Sequence, residues 1–282
     1  MKFAFFGTPE LAAIALEEMK TFGVLPSLIV TASDAPTGRK QIITPPPVKI
    51  WGKENLIPVF QPASLKDRAQ LEALTKEDWD FFVVFAFGKI MPEWLLNLPK
   101  YGTINAHPSL LPKLRGASPI RSTLLTDLSA CGVTIMQMDK DLDHGPILLQ
   151  QAVALEKPVP GRGLDKALSL ICGDLLVHVM KEVASGNLSG TPQDHDAATF
   201  CTKITKDMAE LTLDPHALPT GDAAVQAYKK ICAFDGWPEA FFIHHGKRIK
   251  IKDAALKKDS ALTITRIVPE GKAEMNFSDY FK

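Results

Sequence analysis

The stretch D-F-F-V-V-F-A, Asp80–Ala86, decides how this chain folds. After Asp80 every residue is apolar, with no alternation of polar and apolar positions. A strand with one face in water alternates; an unbroken apolar run is a strand covered on both faces, as at the centre of a parallel sheet flanked by helices. Working outward, Lys2–Phe6 is a second compact run of the same kind. Thr8-Pro9-Glu10 then reads as an N-cap, a first-turn proline and an early acid, opening a helix to about Lys20. Ser27–Thr31 and Thr103–His107 read as further strands and Pro119–Thr126 as a helix. Gly132–Asp139 and Ile147–Ala154 read as strands joined across a Gly-Pro turn, and Gly163–Ser185 as a long helix ending at Gly186. Strands interleaved with helices predict an α/β fold: a Rossmann-like, mostly parallel sheet in an N-terminal domain.

The composition changes after that helix. Gly186–Ala198 (GNLSGTPQDHDAA) is rich in turn formers and reads as a linker. Beyond it come a helix near Asp222–Phe234 and strand-like runs at Phe241–Ile251 and Ala261–Val268, enough for a small β-rich C-terminal domain. The expected division is 1–186, a linker at 187–206, and 207–282.

With 282 residues, 46% of them hydrophobic, the chain can bury a substantial core. Lys plus Arg and Asp plus Glu each total 32, so no overall charge advertises a nucleic-acid binder. The basic character is local: His245–Lys258 holds six lysine and arginine residues against one acid. There Lys247, Arg248, Lys250 and Lys252 partly alternate with Ile249 and Ile251, giving a strand with one basic and one apolar face. Such a face suits either solvent or a phosphate backbone. Cys131, Cys172, Cys201 and Cys232 form no C-x-x-C pair, so neither a zinc site nor a disulfide framework is indicated. The apolar N-terminus is cut by Gly7-Thr8-Pro9-Glu10, and no run approaches the roughly 20 apolar residues of a membrane span. A cytoplasmic protein that needs no membrane is the expectation.

Three constellations bear on chemistry. Phe6-Gly7-Thr8-Pro9 follows the first strand, where a doubly wound fold places its phosphate loop, but one glycine stands where a dinucleotide fingerprint needs three. An NAD-dependent oxidoreductase is therefore excluded. Asn105 and His107 are two apart on a strand, which puts both side chains on one face, and Pro108 ends that strand. The acid-rich Met138–Pro146 lacks the sixth-position glycine and terminal glutamate of a calcium loop, and no metal is expected. Within it His144 reads as a solvent-exposed turn histidine, while Asp143, before a glycine turn, is placed to fold back toward His107.

Asn105-x-His107, then Ser109-Leu110-Leu111-Pro112-Lys113-x-Arg115-Gly116, then Asp143 thirty-eight residues after Asn105, resembles the folate-dependent formyltransferases. FFGTPE (5–10), VTIMQMD (133–139), PPPVK and IPVFQP (45–62) and AFDGWPEAF (233–241) extend the likeness over both domains. They are most similar to the branch whose acceptor is the α-amino group of initiator methionyl-tRNA; the alternative acceptor is a nucleotide-linked amino sugar. Pro108 follows the histidine where many relatives carry glycine, and L-D-H-G-P (142–146) stands where L-D-T-G-D is common.

The resemblance implies 10-formyltetrahydrofolate as formyl donor and an OB-like barrel as the C-terminal domain. It implies Asn105 as oxyanion donor, His107 as proton carrier and Asp143 as its orienting acid. Ser109, Leu110, Leu111 and Pro112 would line the folate site, with Phe87, Gly88 and Ile90 beside the pterin. The 31–49 stretch matches an inserted tRNA-binding loop, so Arg39 and Lys40, with Lys247, Arg248 and Lys250, would contact tRNA. A monomer without a metal is expected.

Overall fold

A computed structural model describes residues 1–38 and 40–282. The chain divides into two compact units, one of Met1–Ala117, Gly132–Val153 and Lys166–Phe200, the other of Ser118–Cys131, Ala154–Asp165 and Cys201–Lys282.

The first unit is built on a seven-stranded sheet. Its strands are β1 (Phe3–Phe6), β2 (Leu28–Val30), β3 (Val59–Phe60), β4 (Phe81–Val84), β5 (Thr103–His107), β6 (Gly132–Gln137) and β7 (Ile147–Ala152). They lie in the order β7-β6-β5-β4-β1-β2-β3. From β3 to β5 all pairs are parallel; β6 runs antiparallel to β5, and β7 antiparallel to β6. Every residue of β1 and β4 is buried, as the two unbroken apolar runs require. Phe6 meets Phe82 at 5.0 Å and Phe87 edge-on at 5.4 Å, so aromatic area dominates this part of the core.

The strand order reverses between β1 and β4, and an open α/β sheet forms its ligand crevice at the carboxyl ends of strands around such a switch point. There the chain leaving β1 is held tight. A Cβ on Gly7 would lie 2.7 Å from Ala12 Cβ and 2.9 Å from the Phe85 carbonyl oxygen, so only glycine fits. The helix that follows is Glu10–Thr21, and its N-cap is Pro9, with no side-chain cap. Thr8, expected as the cap, instead donates its hydroxyl to the Phe87 carbonyl at 3.4 Å, linking the loops that leave β1 and β4.

In the second unit β8 (Phe241–His244), β9 (Lys247–Leu256), β10 (Leu262–Pro269) and β11 (Met275–Asn276) form an antiparallel sheet in chain order. The single run expected over Phe241–Ile251 is thus a hairpin. His245 and Gly246 both take positive φ, 48° and 74°, the pairing a two-residue turn between twisted strands demands. Helix Gly221–Ala233 packs on β9 and β10 and against helix Pro119–Leu125. Among the described residues no helix is long and apolar enough to cross a membrane.

Candidate active site

The carboxyl end of β5 carries the site. Asn105 and His107 point to one face, as the two-residue period dictates, and the strand's other neighbours fix their height: Asn105 sits opposite Val84 of β4 and Met136 of β6, His107 opposite Thr134. Both are nearly buried, at 9% and 4% exposure. His107 Nε2 lies 2.9 Å from the Leu114 carbonyl oxygen. A carbonyl only accepts, so Nε2 carries the hydrogen and Nδ1 is left with the lone pair in the neutral ring. Nδ1 faces Asp143 Oδ1 at 3.7 Å, close for two charges yet beyond a hydrogen bond. The Asn105 carboxamide makes no hydrogen bond to any described residue.

Asp143 reaches the site from the turn after β6, where it adopts a left-handed φ of 48°. Its Oδ2 accepts the Gly116 backbone N–H at 2.7 Å. Asp143 folds back toward His107, as the sequence suggested, and Asn105 shares the strand face of His107.

The Ser109–Pro112 loop is held from beneath by one hydroxyl. Thr134 Oγ1 donates to the Ser109 carbonyl at 2.7 Å and accepts from Leu111 N at 3.1 Å and Gln150 Nε2 at 2.8 Å. Ser109 Oγ donates to the Lys113 carbonyl at 2.7 Å, closing the loop on itself. Ser109 and Leu111 are buried by these contacts, and Leu110 and Pro112 are half-buried. Sequence reasoning missed Thr134; its one signal is a hydroxyl inside the apolar run V-T-I-M.

Phe87 turns its ring into the core, whereas Gly88 is exposed at φ 75° with open space where a Cβ would stand. Ile90 is 90% exposed, an apolar side chain with no cover beside the crevice. Asp139, Asp141 and His144 bring ligand-type atoms within 4.8 Å of one another. His144 Nδ1 already donates to Asp139 Oδ2 at 2.7 Å, and its ring stacks on His195 at 3.9 Å, so the half-exposed turn histidine is tethered on two sides.

The basic residues are distributed differently. Lys40 is exposed in the turn of a short hairpin, Ala35–Thr37 with Ile42–Thr44, and Arg39 lies outside the described residues. Lys247 and Arg248 are exposed on β9, with the Arg248 guanidinium 4.0 Å over the Phe241 ring. Ile249 and Ile251 face inward, as the alternation predicted. Lys250 is not a free cation: it and Lys252 both pair with Glu239.

A carboxamide, an imidazole and a carboxylate thus gather toward the carboxyl end of β5, close to the switch point of an open α/β sheet. The chain belongs to the formyl transferase family, whose pattern matches residues 1–158, and it is a formyl-transferring enzyme. Similar proteins over most of its length are the methionyl-tRNA formyltransferases of Caldicellulosiruptor saccharolyticus and Halalkalibacterium halodurans. The first is 38% identical over 262 residues, 92% of this chain and 81% of that protein. The second is 34% identical over 306 residues, 100% of this chain and 94% of that protein. Among solved structures, the Helicobacter canadensis N-formyltransferase in complex with folinic acid and dTDP-3-aminofucose shares the fold. Its TM-score is 0.65 at 16% identity, covering 91% of this chain and 88% of that one.

Proposed function

We propose that this enzyme moves a formyl group from 10-formyltetrahydrofolate to the α-amino group of initiator methionyl-tRNA, for translation initiation, acting as a monomer in the cytoplasm. The observation that carries the reading is the approach of Asp143 Oδ1 to within 3.7 Å of His107 Nδ1, on the strand whose same face carries Asn105. The amine nitrogen attacks the formyl carbon, and the carbonyl electron pair moves onto oxygen. Asn105 Nδ2–H donates to that oxyanion; one such donor contributes on the order of 3–4 kcal/mol to lowering a barrier of this kind. His107 takes the amine proton on Nδ1, the nitrogen that the Leu114 hydrogen bond leaves basic, and Asp143 supplies the opposite charge beside the imidazolium. Collapse re-forms the carbonyl and breaks the bond to the folate nitrogen, which receives the proton. The products are formylmethionyl-tRNA and tetrahydrofolate.

The Ser109–Pro112 loop and Gly88 supply backbone groups to the folate, and exposed Ile90 an apolar cover. We assign tRNA contacts to Lys40, Lys247 and Arg248, with Lys250 available once it leaves Glu239, and to Arg39 on its sequence position. In this reading residues 207–282 serve chiefly to hold the tRNA. The test is transfer of labelled formyl from 10-formyltetrahydrofolate to methionylated initiator tRNA, with uncharged tRNA as control. Transfer that requires the methionyl group is expected. No transfer with folate still bound would overturn the acceptor, and a nucleotide-linked amino sugar would be tried next.

A further inference from the structure

Gln193 lies in the turn-rich segment after the long helix, fifty residues from Asp143, and is 6% exposed. Its Nε2 donates to the Asp143 carbonyl at 3.0 Å and the Gly145 carbonyl at 2.7 Å. Its Oε1 accepts from Arg115 Nε at 3.2 Å and Nη2 at 2.6 Å. A primary amide has two donor hydrogens and two lone pairs, so this side chain is wholly committed inside the protein. Arg115 fixes which way round it sits. The guanidinium, 4% exposed, can only donate, so the amide must give it Oε1 and turn Nε2 toward the two carbonyls.

What those two bonds hold is the turn that delivers Asp143. A non-glycine residue at φ 48° persists only where its surroundings impose the conformation. Besides the two contacts of the His144 ring, the turn is pinned at three places. Gln193 grips the carbonyls on either side of His144, Gly116 N holds the Asp143 carboxylate at 2.7 Å, and Gly145 presses so closely on β6 that a Cβ would stand 2.0 Å from the Gln137 carbonyl oxygen.

We infer that Gln193 is a positioning residue for formyl transfer: through the backbone of residues 143 and 145 it sets where the Asp143 carboxylate stands against His107 Nδ1. The inference rests on the reaction proposed above. Gln193→Glu separates positioning from simple packing. It keeps the size and the oxygen facing Arg115, but replaces the donor by an oxygen aimed at two carbonyls. The expected result is a kcat for formyl transfer lowered about 10- to 100-fold, with KM for both substrates and folate affinity within about twofold of wild type. Faster hydrogen exchange at the Gly116 amide should accompany it, because that amide reports directly on the carboxylate it binds. Gln193→Met, which also removes the Oε1 acceptor and leaves Arg115 with His195 Nδ1 at 2.9 Å, should lower kcat similarly and reduce Tm as well. Wild-type kcat and Gly116 protection in Gln193→Glu would overturn the assignment. So would failure of both variants to fold, which would make the residue structural. The wild-type enzyme run in parallel tells the two ideas apart. If it transfers no formyl group the reaction reading fails, while Gly116 exchange still reads whether Gln193 places Asp143.

Discussion

Asn105 and His107 share a face because a strand repeats every two residues, whereas Asp143 stands beside them only because hydrogen bonds hold its turn. The three therefore fail differently when changed. In Asp143→Ala the strand, the Ser109–Pro112 loop and Gly88 are untouched, so folate affinity should stay near wild type while most turnover is lost. The Gly116 N–H also loses its acceptor, and a polar group left unpaired costs about 1–3 kcal/mol, visible as a lower denaturation midpoint. Turnover near wild type in that variant, read by labelled formyl transfer, would remove the trio from the mechanism.

At the scale of elements, β6 acts as the floor of the loop after β5 through Thr134. Thr134→Val keeps the volume but leaves the Ser109 carbonyl and Leu111 N–H without that partner. We expect about 1–3 kcal/mol of lost stability and weaker folate binding, measured by chemical denaturation and folate titration. Unchanged folate affinity would show that Thr134 does not hold the folate loop. In the second unit, Glu239 clamps β9 by pairing with both Lys250 and Lys252. Burial pushes its carboxyl upward, but the hydrogen bonds from the two lysines outweigh it and hold it below the ordinary 4.5. A carboxyl lowered by folding stabilises above its unfolded value, and that contribution is lost as pH falls through the folded value. Glu239→Gln should accordingly destabilise the protein at pH 7, and the gap from wild type should close below about pH 4.5. Thermal melts between pH 7 and 3.5 check this; a gap that does not change with pH would mean the clamp is not electrostatic.

For the whole molecule, zero formal charge means that any attraction to tRNA comes from local groups rather than the total field. Binding to initiator tRNA should weaken steeply as salt rises, with a log–log slope set by the number of local cations that meet phosphate. Lys247→Ala should reduce that slope by about one, and Lys250→Ala by less, because its ammonium is already paired with Glu239. Equal effects would show that Lys250 leaves its carboxylate freely. The sequence by itself determined the class of architecture and the shared strand face of Asn105 and His107. Short unbroken runs rich in Phe and Val read as strands covered on both faces, and the i, i+2 spacing of Asn105 and His107 is a local rule of the backbone. It also gave the inward Ile249 and Ile251, again by alternation. Left to the tertiary structure were the contacts made between segments far apart in the chain. Thr8 bonds across to Phe87 instead of capping its helix, Lys250 spends its charge on Glu239, and Gln193, fifty residues downstream in a segment that reads as linker, grips the turn of Asp143. A hydrogen-bonding side chain carries no record of its partner in its own sequence neighbourhood. Periodicity reports which face a residue takes, and only the folded chain brings to that face the group it will meet.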